Sequence, residues 1–178
     1  MAVVEVLNKI LSRIGYELRN TRYKDMYILR YKMEETLDHL KSLGFYPDLV
    51  IDIGAASGTP PFQKTFPNSH FLWVEPLEEF RDALERLKKK YKGEYILGVM
   101  GREEGEMTLE VSKDKVGSSL AKSESVANRS VSTRKVPVYT LENIAREKLQ
   151  GFKQVLLKVD VQGFELQVLD GEIGRAHV

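Results

Sequence analysis

A turn of small residues follows directly after a short apolar run at residues 49–53, and it contains Gly54 and Gly58. An apolar run of this length is typical of a buried strand, and in an open parallel sheet ligands bind at the carboxyl ends of the strands. Small residues let a ligand approach the backbone closely. The exposed N–H groups of such a turn can hold a carboxylate or a phosphate. The sequence therefore predicts a ligand-binding turn at residues 54–58.

An acidic residue, Glu75, ends a second apolar run at residues 70–75. It follows the glycine turn by about twenty residues, the distance at which an acidic side chain reaches a ribose in nucleotide-binding sheets. Its acceptor oxygens match the two hydroxyl donors of that sugar. The turn and Glu75 together predict a ligand with an adenosine moiety.

The residues around the turn discriminate among adenosine-containing ligands. No Gly-Lys-Ser/Thr follows the turn, which excludes a Walker phosphate loop, and the Gly-x-Gly-x-x-Gly fingerprint of dinucleotide sites is also absent. Asp52, two residues before Gly54, would repel a pyrophosphate and suits a ligand that carries an ammonium and a sulfonium group. S-adenosylmethionine has this combination. A plain strand-end turn and a nucleotide- or NAD-binding module are the alternatives.

The elements that position these residues alternate between strand and helix. Strand-length apolar runs lie at residues 49–53, 70–75, 95–99 and 154–160. Helical segments at 59–66 and 77–91 separate the first three of these runs. Strands that are apolar throughout and alternate with helices predict an α/β fold, with a parallel sheet covered by helices on both faces.

The segment between the third and fourth runs has a different pattern. Apolar and polar residues alternate over residues 106–111, and residues 134–139 form a second extended run. The two runs predict a hairpin in which Pro137 marks an edge strand. Residues 112–133 are rich in Ser, Lys and Glu without an apolar period, and a polar loop this long is typical of a lid or of disorder. Thr140 can cap a short helix before the fourth strand.

An N-terminal helical segment is predicted over residues 1–46. Apolar residues recur at helical spacing over 3–18 and 26–40, and Gly44 is placed to end the second helix. We interpret the segment as a helical lid on the following domain. The alternative is a helix that binds a membrane surface or a partner.

The composition excludes several classes of function. The chain has 27 Lys and Arg against 26 Asp and Glu, so no global basic field is available for nucleic acid. It contains no cysteine, which excludes thiol chemistry and fits a reducing compartment, so a cytoplasmic location is expected. No window approaches the roughly 20 apolar residues of a membrane span.

Four segments follow, in order, the motifs of the FkbM-family methyltransferases. They are residues 51–55 (Ile-Asp-Ile-Gly-Ala), 73–76 (Trp-Val-Glu-Pro), 136–144 (Val-Pro-Val-Tyr-Thr-Leu-Glu-Asn-Ile) and 157–171 (Leu-Lys-Val-Asp-Val-Gln-Gly-Phe-Glu-Leu-Gln-Val-Leu-Asp-Gly). The last motif is the most specific. The resemblance implies a Rossmann-like class I methyltransferase that uses S-adenosylmethionine. It also implies a small-molecule or glycan acceptor, methylated on a hydroxyl oxygen of a sugar or other metabolite.

The resemblance also implies which residues bind the cofactor. Asp52 would lie near its ammonium group, and Glu75 with the adjoining Pro76 would bind the ribose. The methionine part would be lined by Gly54, Ala55, Ser57 and Gly58. The adenine would be flanked by Val99 and Met100, and Ser119 belongs to a Ser-Ser-Leu element that the family shares.

Asp160 is the implied catalytic residue, because it ends the strand beside the glycine-turn strand and would face the transferred methyl group. It can act as a base, as an orienting group or as a metal ligand. Glu165 is implied to support it, and Lys158 to assist if its side chain points into the cleft. The alternatives are that Glu165 is a residue favoured by the helix dipole and that Lys158 points outward. These carboxylates alone do not define a metal site, so none is predicted.

The sequence departs from the family pattern at two places. Thr-Pro-Pro-Phe at residues 59–62 replaces a longer helix after the glycine turn, and only four core strands are found where a class I sheet has seven. We therefore predict a partial methyltransferase core at 47–171 that is incomplete at its C-terminus, followed by a non-native tail at 172–178. A catalytically inactive interaction protein, assembled through its N-terminal helices, is a further alternative.

Overall fold

The structure, a computed structural model, describes residues 32–112, 130–148, 150–161 and 163–173. Contacts within the chain divide it into two compact units, residues 1–44 and 45–178. Helix α1 (Met33–Ser42) is the described part of the first unit. It ends before Gly44, whose φ of 86° suits the left-handed residue that closes a helix, as predicted. The predicted helix at 3–18 and residues 113–129 of the predicted loop at 112–133 lie outside the described residues. The two ends of that predicted loop, residues 112 and 130–133, are strand instead, because the backbone pairing of the hairpin continues into them.

The second unit contains most of the described elements. In chain order they are β1 (Leu49–Ile53), α2 (Pro60–Thr65), β2 (His70–Glu75), a 3₁₀ turn (Glu78–Phe80), α3 (Arg81–Lys90), β3 (Gly93–Leu97), β4 (Val99–Met100), β5 (Gly105–Ser112), β6 (Ser130–Tyr139), α4 (Leu141–Lys148), β7 (Val155–Val159) and α5 (Glu165–Ile173). None of the helices in the described ranges combines the length and the apolar character that crossing a bilayer requires.

Four parallel strands form the central sheet, in the order β3–β2–β1–β7. Ile53 at the end of β1 lies opposite Val74 of β2 and Val159 of β7. The carboxyl ends of these three strands therefore meet at one edge of the sheet, where the predicted site residues follow them. The all-parallel sheet with flanking helices confirms the predicted α/β, Rossmann-like class.

The two central strands, β1 and β2, are buried on both faces, toward which their alternate residues point. On one face a hydrophobic core joins β1 and β2 to α4 and α5. Its buried members include Leu49, Ile51, Ile53, Leu72, Val74, Leu141, Ile144 and Val168. On the other face Phe71 and Trp73 stack 5.3 Å apart, and Phe71 also contacts Tyr91 at the end of α3. The helices therefore provide the burial that an all-apolar parallel strand requires.

A second, three-stranded sheet has the order β4–β6–β5. The antiparallel pairing of β5 with β6 confirms the predicted hairpin. The prediction that Pro137 marks an edge strand is wrong, because β6 is the middle strand. The short β4 pairs only with Val138 and Tyr139, so the proline, which has no N–H, lies just before that paired segment.

Two predicted element boundaries differ from the structure for local reasons. The third predicted strand is divided at Gly98, where a Cβ would lie 2.6 Å from the Tyr139 ring, so the chain passes there from one sheet to the other. The helix predicted at 77–91 becomes a 3₁₀ turn followed by α3. Leu77 stays extended, and its N–H donates to the Glu75 side chain at 3.0 Å.

Candidate functional site

The turn after β1 is held by backbone hydrogen bonds and by left-handed residues. The N–H groups of Gly54 and Ala55 both donate to the Val74 carbonyl oxygen, at 3.0 and 3.1 Å. Gly54 has a φ of 74°, and a Cβ on it would overlap the carbonyl oxygen of Asp160. Ala56 takes a φ of 47°, which a non-glycine residue rarely adopts. The turn is therefore strained, and it is packed directly against the end of β7.

Glu75 links this turn to the residues that follow β2. One carboxylate oxygen accepts the Ala56 N–H at 2.8 Å, and the other accepts the Leu77 N–H at 3.0 Å. Burial raises the pKa of Glu75 above its ordinary value, the nearby Asp52 adds to this, and the two N–H donors and Lys158 oppose it. A carboxylate has about four acceptor positions. The hydrogen bonds among the described residues occupy two of them on Glu75, which leaves two for hydroxyl donors.

Lys158 joins the ends of β1 and β7. Its ammonium lies 3.0 Å from Asp52 Oδ1, 3.2 Å from the Gly54 carbonyl oxygen and 3.5 Å from Asp160 Oδ2. Asp52 is fully buried, and the Lys158 side chain is only 15% exposed. Lys158 therefore points into the protein beside Asp52 instead of outward.

Asp160 and Glu165 occupy different surroundings at the end of β7. The Asp160 N–H donates to the Ile53 carbonyl oxygen, and its side chain is 62% exposed. Both carboxylate oxygens of Glu165 accept the Gly163 N–H, at 3.1 and 3.0 Å. Glu165 thus binds the backbone just before α5, as a residue at a helix start does. Asp160 presents its carboxylate to solvent.

The site carries more negative than positive charge. The carboxylates of Asp52 and Asp160 form ion pairs with the ammonium of Lys158, and the electrostatic influence of Asp52 and Lys158 reaches a third carboxylate, Glu75. Among the described residues, no group of three His, Asp or Glu side chains is arranged to hold a metal ion. Such a surplus of carboxylates favours a cationic ligand over a polyphosphate.

The other predicted cofactor residues differ in how far the structure brings them to the site. Ala55 is buried in the turn, Ser57 is exposed, and Pro76 is partly buried after Glu75. A Cβ on Gly58 would meet Leu87 of α3, so this glycine allows the turn to pack on that helix. Ser119 lies outside the described residues.

The side chains of Val99 and Met100 do not lie beside the carboxylates of the site. Both side chains are buried in hydrophobic clusters, Val99 with residues of β5 and β6 and Met100 with residues of the central sheet. A cavity of about 420 Å³ lies nearby and is lined in part by Leu97, which pairs with Glu75 across β3 and β2. None of the predicted cofactor residues lines this cavity, so it adjoins the site only through Leu97, the strand neighbour of Glu75.

Two features of the site were missed by sequence reasoning. The Ala56 N–H is a partner of Glu75, and the Gly54 carbonyl oxygen is a partner of Lys158. Both are backbone groups, whose direction depends on φ and ψ and not on residue type. The positive φ of the turn could be anticipated at Gly54 from its residue type, but not at Ala56.

Comparison with known proteins assigns the family. The Methyltransferase FkbM domain matches residues 52–177, beginning at the buried aspartate of β1. No curated protein and no solved structure matches the chain. Because the match covers well over half of the 178 residues and includes the glycine turn, Glu75 and Asp160, the chain belongs to the FkbM-domain methyltransferases, as its motifs predicted.

Proposed function

We propose that this methyltransferase uses S-adenosylmethionine and methylates a hydroxyl oxygen of a sugar or another small metabolite. The observation that carries the proposal is the hydrogen bond between Glu75 and the glycine turn. The buried carboxylate of Glu75 accepts the N–H of Ala56 at 2.8 Å. This contact brings the ends of β1 and β2 together at the edge of the sheet where ligands bind in such folds.

The charges of the site fit this cofactor better than a dinucleotide. S-adenosylmethionine carries an ammonium and a sulfonium group, whereas NAD carries a pyrophosphate. Asp52 and Asp160 form ion pairs with Lys158, and Glu75 lies within the electrostatic influence of Asp52 and Lys158, so the carboxylates outnumber this cation. Carboxylates attract the cationic groups of S-adenosylmethionine and repel a pyrophosphate, so the charge of the site supports binding of the cationic ligand.

Glu75 is the residue we assign to the ribose. Its two oxygens are fixed in position by the N–H groups of Ala56 and Leu77, which leaves one further acceptor position on each. A carboxylate held in this way is oriented before the ligand arrives, which lowers the entropic cost of binding. The adenine would then lie toward the cavity beside Leu97.

Asp160 is the residue we assign to the acceptor. When bound, S-adenosylmethionine supplies an activated methyl group together with its leaving group. The protein has to hold an acceptor oxygen in line with that group and help to remove its proton. Asp160 has an exposed carboxylate at the end of β7, so it can accept a hydrogen bond from an acceptor hydroxyl and take its proton.

The proposal is tested first by binding. Isothermal titration of the full chain should show affinity for S-adenosylmethionine and none for NAD. Glu75→Gln should weaken the first affinity at least about tenfold, because an amide cannot accept both N–H groups and both hydroxyls. Glu106→Gln is the matched control, since Glu106 is an exposed strand glutamate paired with Lys135. Equal affinity of the two variants, or binding of NAD alone, would contradict the proposal.

Methyl transfer is tested with S-adenosylmethionine that carries a labelled methyl group, and with a panel of free monosaccharides and sugar nucleotides as acceptors. A methyl ether on oxygen survives mild alkali, whereas a methyl ester does not, so base-stable label on a neutral monosaccharide without amino groups identifies a hydroxyl acceptor. At saturating S-adenosylmethionine, Asp160→Asn should lower the transfer rate about 100-fold. Base-labile label would exclude a hydroxyl acceptor, and an unchanged rate in the variant would exclude the role of Asp160.

A further inference from the structure

Lys158 lies in β7 directly opposite Asp52 of β1 and on the same face of the sheet. A lysine ammonium has three N–H donors and no acceptor. Three oxygens lie within 3.5 Å of it, from the Asp52 carboxylate, the Gly54 carbonyl and the Asp160 carboxylate. The ammonium thus donates hydrogen bonds to Asp52 and to Gly54 and forms an ion pair with Asp160.

Asp52 is the anchor of this arrangement. Its side chain is fully buried, and Oδ2 accepts no hydrogen bond from any residue that the structure describes. Lys158 is the cation bonded to its other oxygen. A buried carboxylate is costly unless a cation compensates it. Lys158 therefore stabilises the buried Asp52, and Asp52 in turn fixes the position of the Lys158 ammonium.

The ammonium also crosses the junction between the glycine turn and Asp160. The backbone of Gly54 touches that of Asp160 closely enough to exclude a Cβ, and the Asp160 N–H donates to Ile53. Lys158 adds a second connection across the same junction, to the carbonyl of Gly54 and to the carboxylate of Asp160. It therefore sets the turn and the exposed carboxylate relative to each other.

We infer that Lys158 is a positioning residue that, anchored by Asp52, orients the glycine turn and the Asp160 carboxylate, and that it does not accept the proton of the substrate. The inference rests on the proposed function, because the turn is the part of the site assigned to the cofactor. It also assigns Asp52 to Lys158 as its main partner, so that any interaction of Asp52 with a ligand ammonium is secondary.

The test compares four variants of the full chain, with S-adenosylmethionine as the probe. Lys158→Gln removes the charge, Lys158→Arg keeps it, and the Asp52→Asn/Lys158→Gln pair removes both charges. Lys135→Gln is the control, a strand lysine whose partner Glu106 is exposed. Affinity is measured by isothermal titration, and stability by thermal unfolding.

A positioning role predicts a distinct set of results. Lys158→Gln should lose at least about tenfold in affinity, as expected when a charge-assisted hydrogen bond is removed. Lys158→Arg should recover most of that loss. The double variant should regain the thermal stability that Lys158→Gln loses, since no buried carboxylate is left uncompensated. It should not regain the affinity, because the Gly54 carbonyl stays untethered, and Lys135→Gln should match the native chain in both measurements.

Two outcomes would overturn the inference. If Lys158→Gln binds S-adenosylmethionine as the native chain does, the ammonium does not position the turn, and a proton-accepting role is favoured. If Lys158→Arg is as weak as Lys158→Gln, the charge is not what positions it. Should Lys158→Gln fail to fold, the double variant decides, and native affinity in it counts against the inference. Failure of the native chain itself to bind the probe would instead refute the proposed function.

Discussion

Strands β1 and β7 pair in register along their whole length, yet they differ in burial. All five residues of β1 are buried, whereas Val155 and Leu157 of β7 are 40% and 39% exposed. β1 has a neighbour on both sides, β2 and β7, while among the described strands β7 pairs only with β1. Position within the sheet, more than composition, therefore decides how well each apolar strand is buried.

The same difference separates the two aspartates at this end of the sheet. Asp52 within β1 is fully buried and bonded to Lys158, whereas Asp160 just after β7 is 62% exposed. A buried paired carboxylate serves to hold structure, and an exposed one can reach a substrate. Lys158 connects the two, so one cation is shared between an anchoring group and a group available for chemistry.

The largest effect is expected where the two strands meet. Gly54→Ala should lower the free energy of unfolding by about 4 kcal/mol, because the new methyl group overlaps the Asp160 carbonyl and the residue has a φ of 74°. Gly151→Ala is the matched control, with a φ of 93° and no atom within 4 Å of the added Cβ. It should cost about 1 kcal/mol. Urea unfolding measures both, and equal losses would show that β1 and β7 do not pack as closely as described.

A smaller effect is expected from the paired apolar residues Ile51 and Leu157, which lie opposite each other in the β1–β7 register. Ile51→Ala should cost about 3 kcal/mol of unfolding free energy, since the side chain is buried in the core. Leu157→Ala should cost about 1 kcal/mol, because much of its side chain is already in contact with water. If truncation of Leu157 costs as much as that of Ile51, the outer side of β7 is covered in solution.

The fold was predictable where local pattern and tertiary environment agree. The bounds of β1 and β2 coincide with their apolar runs, since both strands are buried on both faces. The predictions failed where a side chain from outside the element decides its local structure. The ring of Tyr139 occupies the space beside Gly98, where the predicted third strand divides, and the Glu75 carboxylate binds the N–H of Leu77, which stays extended.

The site was predictable to the extent that it depends on residue type and spacing. Gly54 follows from the requirement of a close backbone approach for glycine, and its Cβ position is indeed filled by the Asp160 carbonyl. The ribose role of Glu75 stays a prediction. The sequence does not decide whether the Lys158 side chain points into the protein or into solvent. Strand alternation assigns the side chain to one face of the sheet but does not tell which groups cover that face. Its partner Asp52 lies 106 residues away in sequence, so only the β1–β7 register brings them together.

The smallest predicted effect concerns Glu75, the carboxylate at the end of the buried strand β2. Burial raises the pKa of this group in the folded chain above its unfolded value. The folded state therefore binds the proton more tightly, and this contribution to stability is present at low pH and is lost as the pH rises from the ordinary glutamate range through the folded pKa. Glu75→Gln, which cannot ionise, removes this loss.

The amide of the Glu75→Gln variant cannot accept both backbone N–H groups, so the variant should have a lower free energy of unfolding than the native chain at low pH. This difference in unfolding free energy should shrink as the pH rises toward neutral. Urea unfolding of both proteins at a series of pH values gives the difference directly, since the titration of the other groups cancels. A deficit that grows with pH would mean that the N–H donors of Ala56 and Leu77 outweigh burial. Glu75 would then be stabilised in its charged form before any ligand binds.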